Sequence, residues 1–188
     1  MKFLSSSSKF LVHGFLIAPV LCDSFNLSAW ESTTGGSVIT HRIWYGDGLA
    51  YTGAGIPSSV KEAFNITSLG NRADLIYVSV DETTSAPGTP PLPDPTFLVI
   101  NTAPGASDPL FFTHSAVNLS DTDVYIWIGY EGFLLAMARG NLLQSGSGGF
   151  YIVPSDLEGT YTVRYITEGA TAEKLGARKV MLTSRQLR

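Results

Sequence analysis

The amino-acid sequence predicts an all-β fold: a single antiparallel β-sandwich of the jelly-roll type with at most one short helix. Two observations carry this prediction. Short runs of alternating apolar and polar residues, rich in β-branched and aromatic side chains, recur along the chain and are bounded by Gly, Pro, Asn or Asp. Only one stretch shows the apolar spacing of a helix. Many short strands at regular spacing are typical of sandwiches and jelly rolls.

Alternation predicts eight strands, two of which form a hairpin. Residues 124–138 are hydrophobic enough to resemble a membrane helix, but Gly129-Tyr130-Glu131-Gly132 divides them with turn residues and a charge, which favours a hairpin. The helix is predicted over residues 57–66, because Pro57 suits a first turn and three later apolar residues share one face. The predicted strands, in chain order, are residues 37–45, 74–80, 96–100, 124–128, 133–138, 149–153, 160–166 and 178–183.

The segment GDGLAYTGAG, residues 46–55, holds four glycines directly after the first of these strands. A phosphate-binding loop would need a strand, then G-x-G-x-x-G or G-K-[ST] spacing, then a helix. That spacing is missing, and no alternation of strands and helices surrounds the segment. We predict instead a turn at Asp47-Gly48, a short strand over residues 49–52 and a second turn at 53–55.

The first 22 residues have the layout of a secretory signal peptide. Two lysines accompany an apolar core at residues 10–21, and small residues follow where a peptidase could cut. This core is shorter than a membrane span, which needs about 20 residues, so no span is expected in the mature protein. The predicted domain comprises residues 23–188, with the proline-rich segment 83–95 as a surface loop rather than a linker between domains.

Charge and cysteine content exclude several classes of function. Removing the leader takes away two of the twelve basic residues and none of the sixteen acidic ones, so the predicted mature chain has a net charge of 10 − 16 = −6. An acidic chain has no electrostatic basis for binding nucleic acid or anionic membranes. Cys22 is the one cysteine, and His41 and His114 do not follow a metal-binding spacing, so neither a metal nor another cofactor is predicted.

Three N-x-[ST] sequons predict N-glycosylation at Asn26, Asn65 and Asn118. Together with the leader they indicate a eukaryotic secretory route and a secreted, extracellular protein. Because a glycan must lie in water, these positions are expected in surface loops or at strand ends.

The aromatic residues around the Asp47 turn are the candidate binding site. Trp44 and Tyr45 are consecutive in a predicted strand and face opposite sides of it, so one should be buried and the other should lie near the Asp47 loop. Aromatic rings beside polar groups suit carbohydrate binding, because a ring packs on the C–H surface of a sugar. We assign Trp44, Asp47 and Tyr51 as candidate binding residues and no residue as catalytic. Alanine at Trp44 or Tyr51 is expected to weaken glycan binding without unfolding the domain.

The leading functional prediction is a secreted, N-glycosylated, non-catalytic extracellular protein that binds cell-wall polysaccharide or an extracellular protein, the latter as an effector. Two alternatives remain open. Asp47, Asp74, Glu131 and Glu158 could supply a pair of carboxylates for a polysaccharide hydrolase, although their spacing selects no pair. A self-associating structural coat protein would need neither an aromatic face nor a carboxylate pair.

Three segments carry a family resemblance: GLAYTGAGIPSSV at 48–60, FFTHSAVNLS at 111–120 and YIWIGYEGFLLAMARG at 125–140. With the leader, the TGAG-type turn, the sequons and the aromatic-rich later strands in this order, the chain resembles a group of small secreted ascomycete proteins of unknown function. The resemblance implies a fungal secreted β-sandwich domain and supplies no catalytic residue.

Overall fold

The structure is a computed structural model that describes residues 25–72, 75–130, 133–138, 141–142 and 148–184. Within these ranges the chain forms fourteen β-strands and one helix of six residues, which confirms the predicted all-β class with at most one short helix. No helix in the described ranges has the length and apolar composition needed to cross a membrane. The predicted signal peptide, residues 1–22, lies outside the described ranges.

The observed strands include all those that alternation predicted. In chain order they are β1 Ser28–Ser32, β2 Val38–Gly46, β3 Leu49–Gly53, β4 Ala63–Arg72, β5 Leu75–Val80, β6 Phe97–Asn101, β7 Phe111–Thr113, β8 Asp123–Val124, β9 Ile126–Tyr130, β10 Phe133–Ala138, β11 Asn141–Leu142, β12 Gly149–Pro154, β13 Thr160–Ile166 and β14 Arg178–Thr183, with α1 at Gly169–Lys174. The run predicted at 124–128 is divided at Tyr125 between β8 and β9, and β9 and β10 form the predicted hairpin. Alternation did not predict β1, β4, β7 or β11.

The strands pair antiparallel and join into one continuous network. Six of them close a circuit, because β1 pairs with β2, β2 with β3, β3 with β13, β13 with β12, β12 with β14, and β14 again with β1. A second circuit runs from β2 through β4, β5, β6 and β7 back to β3. The hairpin of β9 and β10 joins β14 at Phe133. β2 and β3 therefore belong to both circuits, and the turn between them adjoins both.

Side chains from both circuits pack into one apolar core. Its largest fully buried member, Trp127, donates its indole Nε1–H to the carbonyl oxygen of Leu98 at 3.0 Å. α1 packs in a second, smaller cluster, through Ala172 against Val153 and Ile166. The other fully buried large side chains in the described ranges are Leu27, Ile43, Ile66, Leu98, Val99, Ile100, Leu110, Ile152, Val163, Ile166 and Leu182.

The helix predicted over residues 57–66 is wrong, because that segment ends in β4 and the helix is α1. The carboxylate of Asp47 accepts the backbone N–H groups of Lys61 (2.8 Å) and Glu62 (2.7 Å), which holds the segment beside the β2–β3 turn. Phe64 then pairs with Tyr45 across β2 and β4. These long-range contacts outweigh a weak local helical spacing, as tertiary context often does.

Candidate functional site

The glycine-rich segment after β2 is a hairpin turn. Gly46 pairs with Leu49, and the two residues between them, Asp47 (φ 46°) and Gly48 (φ 85°), are both in the left-handed region. Two such residues make the tight hairpin turn whose twist matches that of the strands, and Asp-Gly is a preferred pair for it. A strand follows the turn, not a helix, so the segment lacks the geometry of a phosphate loop. The predicted turn at Asp47-Gly48 and the short strand are confirmed. The second turn, predicted at 53–55, is not formed there, because β3 continues to Gly53, only a bend follows at Ala54, and the next turn lies at residues 57–60.

Asp47 lies on the surface at this turn and is engaged with the backbone. Hydrogen bonds from the N–H groups of Lys61 and Glu62 lower the pKa of its carboxyl below the usual value, so the group is ionised at neutral pH. Both oxygens accept these bonds. Asp47 therefore positions the segment before β4.

Trp44 and Tyr51 are buried against each other. Their side chains are 7% and 8% exposed, and the rings stack with centroids 4.8 Å apart and planes 15° apart. Trp44 Nε1–H donates to the carbonyl oxygen of Gly53 at 3.2 Å. The exposed aromatic row expected for a binding face is therefore not formed by this pair. Alanine at either position would remove buried packing as well as any ligand contact.

One side of Trp44 nevertheless borders a cavity of ≈ 300 Å³, which we call the Trp44 cavity. It is lined by residues 44, 53–56, 63–65, 84–86 and 89. Residues 53–56 at the end of β3 form one wall, and the start of the β5–β6 loop forms another.

Tyr45 points to the opposite side of β2 and is half-buried. Its ring stacks on Phe64, with centroids 4.6 Å apart and planes 8° apart, and lies 5.6 Å from the ring of Phe112. The sequence predicted one residue of the Trp44–Tyr45 pair in the interior and the other beside the Asp47 loop. That prediction is confirmed, with Trp44 as the buried residue.

The three rings form the floor of a surface depression of ≈ 410 Å³, the Tyr45 depression, lined by residues 45, 62, 64, 90–93, 96 and 112–114. Its polar rim includes Glu62, Thr113 and His114. Burial, followed by the negative charges of Glu62 and Asp47, raises the pKa of the Tyr45 phenol, so its hydroxyl stays neutral and can both donate and accept.

The proline-rich loop between β5 and β6 is a wall of both sites. Its first part, at residues 84–86 and 89, lines the Trp44 cavity, and residues 90–93 line the Tyr45 depression. Leu92 packs against the apolar core, and this contact holds the loop against the strands. The segment 83–95 is therefore a surface loop between two strands, as predicted.

A buried carboxylate anchors the start of this loop. Asp81 forms an ion pair with Arg42 and accepts hydrogen bonds from Thr83 N–H (3.0 Å), Thr83 Oγ1 (2.5 Å) and Thr84 Oγ1 (2.9 Å). Burial raises the pKa of Asp81, but the hydrogen bonds from Thr83, Arg42 and Thr84 together lower it more, to well below its usual range.

We expect Asp81→Asn to lower the free energy of unfolding by about 1–3 kcal/mol at neutral pH, since it weakens charge-assisted hydrogen bonds. The pKa of Asp81 is lower in the folded protein than its unfolded value of about 3.9. The ionised carboxylate therefore stabilises the fold fully above pH of about 4, and this stabilisation is lost as the pH falls toward the folded pKa. Urea denaturation should show that the difference in free energy of unfolding between wild type and Asp81→Asn becomes smaller as the pH is lowered below about 4. Asp121→Asn, at an exposed carboxylate, is the control. If that difference in free energy of unfolding does not change with pH, the ionised Asp81 carboxylate does not stabilise the fold as described.

The three sequon asparagines differ in their surroundings. Asn26 and Asn118 are exposed, before β1 and between β7 and β8. Asn65 is half-buried near the start of β4, where it pairs with Trp44 and lines the Trp44 cavity.

The other predicted polar candidates do not converge on one site. Of the proposed carboxylates, Glu158 is exposed in the turn between β12 and β13, while Asp74 and Glu131 lie outside the described residues. His41 Nε2 lies 2.9 Å from Glu31, which also pairs with Arg178 at 3.0 Å. The described part of the chain holds no group of three His, Cys, Asp or Glu residues suited to a metal ion.

Phe64 and Phe112 are the site residues that the sequence did not reveal. Phe64 lies in the segment whose spacing predicts a helix, although Phe64 and Ile66 also alternate with polar residues as a strand requires. That alternation was the available signal. Phe112 belongs to a strand of three residues, too short to stand out.

Comparison with protein-family models, with curated proteins and with solved structures finds no match to this chain.

Proposed function

We propose that this protein is a secreted, non-catalytic carbohydrate-binding protein and that the Tyr45 depression is its binding site. One observation carries the proposal: half-buried, stacked aromatic rings form the floor of an open depression with a polar rim. A sugar ring has apolar C–H faces and a belt of hydroxyl groups, so it is complementary to such a floor and rim. The leader, the three sequons and the resemblance to small secreted ascomycete proteins support the extracellular location.

The depression also differs from the site of a glycosidase. Among its lining residues Glu62 is the one carboxylate. Hydrolysis of a glycosidic bond generally uses two carboxyl groups about 5–10 Å apart. Binding without hydrolysis is therefore the activity that this set of side chains favours.

We expect Tyr45→Ala to lower affinity for the bound polymer about tenfold, because it removes an aromatic contact worth about 1.4 kcal/mol. Tyr125→Ala is the matched control: this tyrosine is also half-buried but packs near Phe97 outside the depression. His114→Ala, at the exposed rim, tests the site without disturbing the aromatic floor. Near-UV circular dichroism establishes that each variant is folded.

The test is a depletion assay. The secreted protein is mixed with insoluble chitin, β-glucan or cellulose, and the protein left in the supernatant is measured. Selective loss onto one polymer, reduced by Tyr45→Ala and not by Tyr125→Ala, is the expected result. Loss onto none of the polymers would contradict carbohydrate binding and would favour a protein partner. Release of reducing sugar from the same polymers would contradict the non-catalytic assignment.

A further inference from the structure

Asn65 and Trp44 are direct neighbours across two strands. The pairing of β2 with β4 places Asn65 opposite Trp44, so both side chains lie on the same face. Both line the Trp44 cavity. Asn65 is also the acceptor position of the sequon Asn65-Ile66-Thr67. A sugar attached to Asn65 would therefore start at the cavity.

The cavity has room because its walls are small. Gly53, Ala54, Gly55, Ala63 and Ala86 line it and project little or no side chain into the ≈ 300 Å³ space. Polar groups are present as well, on threonine and serine side chains of the β5–β6 loop.

One of these polar groups has no partner. The hydroxyl of Ser85 is buried and makes no hydrogen bond within the described part of the chain. Buried polar groups are rarely left unpaired, because desolvation without a hydrogen bond costs free energy. Ser85 is one of the residues that line the cavity, so a group that carries hydroxyls and an amide would lie beside a polar wall.

The side-chain amide of Asn65 can be glycosylated and still keep its hydrogen bond to Thr84. Its Nδ2 donates one hydrogen to Thr84 Oγ1 at 3.1 Å. The second hydrogen is the one that glycosylation replaces. The modified amide keeps one N–H, so the bond to Thr84 persists.

We propose that Asn65 carries an N-linked glycan whose first N-acetylglucosamine lies in the Trp44 cavity and stabilises the folded protein. The sugar comes from a lipid-pyrophosphate-linked oligosaccharide. A bond forms between C1 of the sugar and Nδ2 of Asn65 while the bond from C1 to the pyrophosphate oxygen breaks. The lipid pyrophosphate leaves, and the proton lost from Nδ2 balances its charge. The sugar packs against the accessible part of the Trp44 ring, and its hydroxyl and acetamido groups face the threonine and serine residues of the β5–β6 loop that line the cavity. This inference rests on the proposed secretory route.

Asn26 and Asn118 provide the contrast. Both are exposed outside strands, so glycans attached there would extend into solvent and make few contacts with the folded chain. A glycan found on Asn118 shows that the chain has passed through the secretory route. Removal of that glycan should leave the Tm unchanged.

The experiment uses the full chain expressed in a eukaryotic secretory host and, in parallel, in bacteria. Thr67→Ala destroys the sequon but keeps the Asn65–Thr84 bond, whereas Thr67→Ser keeps the sequon and also loses the β-branch. Glycopeptide mass spectrometry gives the occupancy of each sequon. We expect sugar on Asn65 in the wild type and Thr67→Ser. The Tm of secreted Thr67→Ala should be about 2–4 °C below that of secreted Thr67→Ser, with no such difference between the bacterial proteins. Asn118→Gln should not shift Tm.

Each other outcome overturns the inference in a distinguishable way. Sugar on Asn118 but not on Asn65 would refute the glycan and leave the secretory route intact. Sugar on no sequon would refute the secretory route as well. Sugar on Asn65 with equal Tm values for the two Thr67 variants would show that it does not lie in the cavity. None of these results depends on polymer binding at the Tyr45 depression.

Discussion

Replacing Trp127 by alanine is expected to lower the free energy of unfolding by about 3–5 kcal/mol. Its side chain is 0% exposed, stacks on Phe150 with ring centroids 5.8 Å apart, and donates to the carbonyl oxygen of Leu98 at 3.0 Å. Alanine would leave a large cavity and a buried carbonyl without this donor, and each effect is destabilising. Since small domains are stable by only about 5–15 kcal/mol, one such change removes a large share of the total.

Urea denaturation followed by circular dichroism measures this loss. Ile126→Ala is the control, because Ile126 is the adjacent residue on β9 but is 38% exposed and faces the other way. Trp127→Phe separates the indole hydrogen bond from the ring packing, and its loss should be smaller than that of the alanine variant. A loss for Trp127→Ala no larger than that for Ile126→Ala would contradict the described core.

Gly53→Ala is expected to destabilise the protein by on the order of 4 kcal/mol, from left-handed backbone strain and overpacking together. Gly53 has a φ of 111°, and an added Cβ would lie 2.2 Å from the carbonyl oxygen of Gly159. That oxygen is backbone, so it cannot move aside as a flexible side chain can. β3 and the turn before β13 approach so closely at this point that only glycine fits.

The matched variant is Gly48→Ala in the same glycine-rich segment. Gly48 has a φ of 85°, but nothing lies within 4 Å of an added Cβ, so this substitution carries the backbone strain alone. The difference between the two urea midpoints therefore measures the backbone clash at Gly53. Equal losses would show that β3 and β13 do not approach as described.

The strands that the sequence predicted share one property, which is a short run rich in β-branched and aromatic residues and bounded by turn residues. β2, β5, β12, β13 and β14 all show it, and so does the Asp47-Gly48 turn, where the residue types themselves demand a left-handed backbone. Such features depend on neighbours in sequence. They can be predicted without knowing what packs on them.

β4 shows where this reasoning fails. Residues 57–66 contain both a weak helical spacing and the start of an alternating one, and local sequence does not decide between them. The decision comes from the Asp47 carboxylate and from the stacking of Phe64 on Tyr45, both distant in sequence. The actual helix, α1, has six residues and is held by a small cluster around Ala172, so its local signal is weak.

In the candidate site, too, some features follow from the local sequence and others only from tertiary contacts. From sequence, Trp44 and Tyr45 had to face opposite sides of one strand, because side chains alternate along a strand. Which of the two residues is buried depends on which other parts of the chain pack on each face of β2. Tyr51 and residues 53–56 cover Trp44, whereas the floor around Tyr45 is completed by Phe64 and Phe112 from two other strands.

The residues alone thus specify the all-β class, most strands, the hairpin turns, the acidic charge and the three sequons, because each of these follows from composition or from spacing within a few residues. Tertiary structure decides the rest: that Trp44 is interior, that Tyr45 lines an open depression, and that Asn65 lies opposite Trp44. These depend on strand register and on the β5–β6 loop, which bring together residues far apart in the chain, and burial is a property of that assembly rather than of any one segment.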